Sequence, residues 1–338
     1  MGVHQLHERA CIGLGIDPPG ELISGKAVNL NNWKSNGTPR NPLSWRLLRG
    51  QSLSNNLYEI VTSKIIEAMK NGVVPWRKPW SVNTLLPCNL KFNRPYRGIN
   101  VLLLGLSPFA DHRWLTLKQA NELGGKIKAG EKCTMVVFWK FPEKKETPED
   151  TEKEPQRLVP ILRYFNVFNI EQVDGLTVPP VPDRGQLSEQ NRVNRAELLA
   201  TSMPNPPFIE EKGDQAWYQP ESDVVRIPKL GQFETIDAYY ATLYHELGHA
   251  TGHPSRLNRS GVVGQIHFGS DGYSKEELVA ELTSAFCCAT VSLDNSLIED
   301  SASYIQGWLS VLKAEPKVLV YAAAQAQKAA DYIKGIVY

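Results

Sequence analysis

The chain has 338 residues, 42% hydrophobic and 22% charged, which is ordinary for a soluble globular protein and enough for two domains with buried cores. No apolar run approaches the roughly 20 residues of a membrane span, the first ten residues lack the apolar core of a signal peptide, and five cysteines without a CxxC argue against a disulfide scaffold; a reducing cytoplasm is the expected compartment. The net charge of +1 hides a division: residues 51–145 carry 15 Lys+Arg against 6 Asp+Glu, whereas residues 190–338 carry 12 against 18. A basic segment followed by an acidic one predicts two domains with two jobs, the basic one facing a polyanion.

Residues 1–50, rich in Gly, Pro, Asn and Ser, read as a poorly ordered leader. Leu57, Val61, Ile65 and Ala68 then define one face of a helix that Asn71-Gly72 ends. The stretch Val74-Pro-Trp-Arg-Lys-Pro-Trp80 packs two tryptophans and two cations between prolines, which block a helix or central strand and predict a fixed loop. Further aromatics interleaved with Arg and Lys follow at 93–100 and 113–120. Rings on which bases stack, beside cations that track phosphates, are what a single-stranded nucleic-acid surface needs. The expected DNA-binding residues are Trp76, Arg77, Lys78, Trp80, Arg94, Tyr96, Arg97, Trp114 and Lys118. Against this stands ordinary core packing, the commonest fate of any single Trp or Tyr. No phosphate loop or zinc-finger spacing supports reading of duplex sequence.

Thr134–Phe141 and Pro160–Asn169 read as two strands joined by the charged loop Glu143–Arg157, and prolines at 179–182 mark an extended linker. Beyond it come a helix near Glu189–Leu199 and short strands at Phe208-Ile209, Ala216–Tyr218 and Asp223–Pro228. Three helices follow: Tyr273–Phe286, Ser301–Lys313, and a last one for which Pro316 suits the first position.

Between them lies His245-Glu-Leu-Gly-His249, an H-E-x-x-H motif. Two histidines at i and i+4 stand on one face of a helix and can both offer a ring nitrogen to one Zn²⁺, while Glu246 is placed as general base. Ile236, Tyr240, Leu243 and Leu247 give that helix an apolar face, Thr235 is a fitting N-cap, and Gly252 with Pro254 stops it, so it should span about Ile236–Thr251. Catalytic zinc usually takes three protein ligands. Glu277 and Glu281, at i and i+4, share a helical face; Glu277 is the expected ligand, with Glu281 as its support or as the alternative ligand. Glu277 also fits a capping box with Ser274, and His253 and His267 are rival third ligands. Tyr273 and Tyr304 are possible oxyanion donors.

These motifs together resemble the ArdC-type antirestriction proteins of mobile elements. The likeness rests on Val74–Trp80, Tyr96-Arg-Gly-Ile-Asn100, Trp114–Ala120, Val167–Gly175, the HELGH helix with Thr251-Gly-His253, and Glu276–Leu282, and covers roughly residues 53–335. It implies an α+β protein of two domains: an N-terminal α/β domain that binds single-stranded DNA (51–178) and, after a linker (179–188), a zincin-like metallopeptidase domain with a small sheet and the HExxH helix (189–338). It further implies Zn²⁺ held by His245, His249 and Glu277, catalysis through Glu246, and protection of incoming DNA from host restriction, with a host protein as possible substrate and no membrane partner. Two other readings remain open: a DNA-binding module whose zinc site is not proteolytic, and a DNA-dependent protease acting on DNA-bound proteins.

Overall fold

The computed structural model describes residues 57–77, 85–140, 161–180, 188–259, 271–294 and 302–336. The leader, the charged loop, Lys78, Trp80 and His267 lie outside these residues. The opening helix α1 covers residues 57–70, burying Leu57, Val61, Ile65 and Met69 at the predicted spacing, and Gly72 adopts φ +77 just beyond it. A five-stranded sheet follows, ordered β2-β1-β3-β6-β5. Its strands are β1 (Cys88–Asn89), β2 (Arg94–Pro95), β3 (Arg113–Thr116), β5 (Thr134–Lys140) and β6 (Ile161–Asn169). Helices α2 (Ile99–Gly105) and α3 (Leu117–Glu122) fill the connections, and β4 (Lys126–Ile127) pairs with β7 (Val173–Asp174). The long pair β5–β6 is antiparallel, with Thr134 opposite Val167 and Lys140 opposite Ile161. Both runs are rich in β-branched and aromatic residues, the composition a pleated, half-buried surface favours.

The C-terminal half opens with α4 (Glu189–Thr201), then a three-stranded sheet ordered β8-β10-β9 from Phe208–Glu211, Val224–Ile227 and Trp217–Gln219. Four helices complete it: α5 (Ile236–Ala250), α6 (Asp271–Val291), α7 (Ala302–Ala314) and α8 (Lys317–Ile333). Pro316 sits one residue before α8 as its N-cap rather than at its first position. Among the described residues no helix is long and apolar enough to cross a membrane.

The described residues belong to one compact unit, and one hydrophobic cluster runs through both halves, from Val61 and Ile65 of α1 through Leu162 of β6 to Leu278 of α6 and Leu319 of α8. Polar contacts stitch the same boundary. The Thr62 hydroxyl donates to the Pro316 carbonyl (2.6 Å), the Gly98 amide donates to Gln327 Oε1 (2.9 Å), and Arg97 pairs with the buried Asp331. Gly98 itself adopts φ +57, and a Cβ there would meet the Ala323 carbonyl oxygen at 3.4 Å, so the Tyr96–Asn100 motif docks closely on α8. Asn100 closes one edge of the sheet: its side chain bonds both the carbonyl and the amide of Val137 (2.7 Å each).

Candidate metal centre

Helix α5 carries the two histidines. The Thr235 hydroxyl accepts from the Ala238 amide (3.0 Å), Asp237 in the first turn pairs with Arg192, and Tyr240, Leu243 and Leu247 are buried at the predicted spacing. The helix ends at Ala250, one residue before the expected end, and Thr251 caps it by bonding its hydroxyl to the Gly248 carbonyl (2.6 Å). One turn apart on one face, His245 and His249 bring their Nε2 atoms to 3.1 Å of each other.

Helix α6 supplies the carboxylate. Glu277 places Oε2 3.5 Å from His245 Nε2 and Oε1 3.4 Å from His249 Nε2. One donor atom from each of the three lies within 4.8 Å of the others, so a single ion can be reached by all three. Two imidazole nitrogens and one carboxylate oxygen, each on a half-buried side chain, are the donor chemistry of a three-ligand metal site that keeps a fourth position open. The capping-box role of Glu277 does not arise, because α6 begins at Asp271 and Ser274 lies within its first turn. His253 turns instead to Ser255 (Nδ1 to Oγ 2.7 Å) and stands outside the cluster.

Gly248 explains how two helices come close enough for this. A Cβ at that position would stand 3.2 Å from both Ala280 Cα and Thr283 Cβ of α6. A glycine inside a helix costs about 1 kcal/mol relative to alanine. Here it allows the backbone of α5 to lie against α6 one turn from the histidines.

The electrostatics follow from burial and from mutual pairing. Burial alone would lower the His249 pKa, but hydrogen bonds to the Glu276 and Glu277 carboxylates outweigh it and lift it to about 10. Glu277 moves the other way: burial favours its neutral form, yet the two imidazoles hold its carboxyl well below the usual carboxylate range. Glu246 is buried, and that burial raises its pKa against the opposing effect of the nearby histidines and, more weakly, of the Tyr218 backbone in β9.

The expectation for Glu281 needs correction. Glu281 does not support a ligand histidine: its Oε1 accepts from the Arg77 guanidinium (2.9 Å), drawing it toward the N-terminal half. The carboxylate beside a histidine is Glu276, 3.5 Å from His249 Nδ1, and the Arg259 guanidinium holds it with two hydrogen bonds. Arg259 also bonds the Gly248 carbonyl and the Thr251 hydroxyl, so it ties the end of α5 to the start of α6. The Glu276–Glu277 pair showed that acid was dense here, but no local sequence signal marks Arg259.

The expected nucleic-acid residues disperse. Trp76 and Trp114 are 0% and 1% exposed, so neither offers a face on which a base could stack. Trp76 donates from Nε1 to the Tyr304 hydroxyl (3.1 Å), and Trp114 packs with Leu104, Val136 and Val167. Arg77 is buried, its guanidinium 4.0 Å from the Tyr304 ring centre. Tyr96 is half-buried beside the Trp114 cluster. Arg97 is exposed but paired with Asp331. Arg94 is exposed, as is Lys118, which lies 3.7 Å from Glu122. Trp76 and Trp114 belong to the core; interleaved Trp and Arg look alike in sequence whether the ring faces a base or fills a core.

Comparison with known proteins agrees with this architecture. Residues 55–168 match the family described as the N-terminal domain of anti-restriction factor ArdC, and residues 197–325 match the zincin-like metallopeptidase family. The structure is similar to the ArdC protein of plasmid R388, in a metal-free form (TM-score 0.63) and a Mn(II)-bound form (TM-score 0.65). Both are 33% identical in sequence, and the match covers 82% of this chain and 96% and 97% of those chains. The protein y4eC of Sinorhizobium fredii is 36% identical over 82% of this chain and 91% of its own length. Two DNA primases TraC of Escherichia coli are each 37% identical over 82% of this chain, which spans only 20% and 27% of their lengths. The chain thus belongs to the ArdC antirestriction family, with an ArdC N-terminal domain followed by a zincin-like metallopeptidase domain.

Proposed function

We propose that the chain protects incoming DNA from restriction by binding single strands through its N-terminal half and by carrying a zinc peptidase-type site in its C-terminal half. The observation that carries the second part is the convergence of His245, His249 and Glu277 beside the buried Glu246. These three side chains would hold a divalent ion. Imidazole nitrogens with a single carboxylate suit zinc better than manganese, which favours sites richer in oxygen. When bound, such an ion supplies Lewis acidity, polarising a carbonyl oxygen and easing the loss of a proton from water.

The chain's own residues do the rest. Glu246 takes a proton on its carboxylate and later delivers it to the leaving amine nitrogen, and burial moves its pKa toward the range where it can do both. Arg259 with Glu276 orients His249. The first half of the reading is supported by membership of the ArdC family and by the basic excess of residues 51–145.

The test compares wild type with Glu246→Gln in metal content, casein hydrolysis and protection of transformed DNA in a restricting host. Metal should be retained while hydrolysis and protection both fall. Protection equal to wild type would remove proteolysis from the antirestriction role and leave a binding module with a non-proteolytic site. Stimulation of cleavage by single-stranded DNA, seen only with a DNA-bound protein, would move the reading to a DNA-dependent protease.

A further inference from the structure

The buried tryptophans leave open which surface meets the bases, and the β5–β6 ladder answers it. Phe138 of β5 and Phe165 of β6 stack face to face on this sheet, ring centres 4.6 Å apart and planes 9° from parallel, with Phe165 49% exposed. A stacked pair with one ring half exposed and the other half-buried contrasts with Trp76 and Trp114, which the fold encloses fully. The register places cations beside them. Arg163 stands directly opposite Phe138, Lys140 lies two residues along β5, and alternation puts all four side chains on one sheet face. Arg163 and Lys140 are exposed, and neither forms an ion pair with a described residue, whereas Arg77, Arg97 and Arg113 are all paired. The rest of that face, at Val136 and Val167, is covered by Trp114 and Leu104. Among the described residues the open part is therefore aromatic, with positive charge at its margin.

We propose that this face, Phe138 and Phe165 with Arg163 and Lys140, is the platform on which single-stranded DNA lies, its bases on the rings and its phosphates along the two cations. The proposal rests on the reading that the N-terminal half binds single strands, and it replaces Trp76 and Trp114 as the place of contact. A flat ring pair accepts any base, while cations on two neighbouring strands, Arg163 of β6 and Lys140 of β5, follow a backbone without reading sequence. Such a surface favours strands whose bases are free over a duplex whose bases are stacked inside.

The test uses the full chain and a fluorescent oligothymidylate, with binding read by anisotropy across a salt series and a duplex of equal length as control. Phe165→Ala is expected to weaken binding by about fivefold or more. Phe165→Leu, which keeps apolar volume and removes the ring, should do nearly the same with an unchanged melting temperature. Arg163→Ala should flatten the slope of log affinity against log salt by about 0.7. Ultraviolet crosslinking should attach the oligonucleotide to peptides containing Phe138 or Phe165. Wild-type binding that these variants leave intact would overturn the platform while sparing the single-strand reading. Failure of wild type to bind single strands would overturn both. Equal affinity for duplex, or variants that change self-association and not DNA affinity, would overturn the platform in favour of a charge-only or a protein-contact surface.

Discussion

The α5–α6 junction and the Val74–Arg77 loop invite comparison, because both announce chemistry in the sequence and only one presents it to solvent. At the junction, His245, His249 and Glu277 converge from two helices on partly exposed side chains. In the loop, Trp76 turns inward to Tyr304, and Arg77 is drawn to Glu281 on the same helix that supplies Glu277. The difference lies in what each motif constrains. An i, i+4 pair fixes two side chains on one helical face before any tertiary contact forms. An alternation of rings and cations in a proline-rich loop fixes composition alone, and the ring goes wherever burial is most favourable.

The comparison can be broken most severely at Glu246. Glu246→Gln should lower kcat/KM for peptide hydrolysis by about 10²- to 10⁴-fold with metal content unchanged; a small effect would mean that the junction, like the loop, is structural. Next in size, Trp76→Ala and Trp114→Ala should each cost about 3–5 kcal/mol in urea unfolding, as buried aromatics do. Lys118→Ala, on an exposed side chain, should stay within about 0.5 kcal/mol. A Trp114 variant that kept its stability and lost DNA affinity would return the tryptophans to the surface.

Arg259→Ala and Glu276→Gln should weaken metal binding by about 10- to 100-fold, read by competition with a chromophoric chelator. Arg259→Ala should also destabilise the protein, because it leaves Glu276 charged and buried. With the site empty, His249 holds its proton up to about pH 10, so metal uptake must displace it. The sign follows: apparent affinity rises with pH through neutrality, by about tenfold per unit for one proton, and calorimetry in buffers of different ionisation enthalpy should register one proton released. The smallest effect concerns thiols. Burial pushes Cys88 up to about 11 and Cys287 up to about 12, so among the described cysteines only the exposed Cys133 should react with a thiol reagent before unfolding.

Much of the fold was legible. The helix of residues 57–70, the β5–β6 pair, the short strands before α5 and helices α5, α7 and α8 stand within a residue or two of the positions that periodicity and turn signals indicate, whereas α6 runs five residues past its expected end at Phe286. The charge division was real in composition but misleading as a map of surfaces. Part of the basic excess faces inward against the acidic half, as Arg77–Glu281 and Arg97–Asp331 show. Charges far apart in sequence meet only when the chain is folded.

By itself the sequence determined the helix of His245 and His249, its N-cap, and the candidacy of the two histidines and Glu277 as metal donors, because each depends on spacing within one element. Tertiary structure decided which carboxylate serves as partner to His249. Glu276 and Glu281 are both acidic residues on α6, and the choice between them was made by where Arg259 and Arg77 arrive from elsewhere. It also decided why Gly248 stands inside the motif, since its value lies in the approach of α6. The same holds for the aromatics: exposure is a property of what packs against a residue, and local pattern carries little of that information.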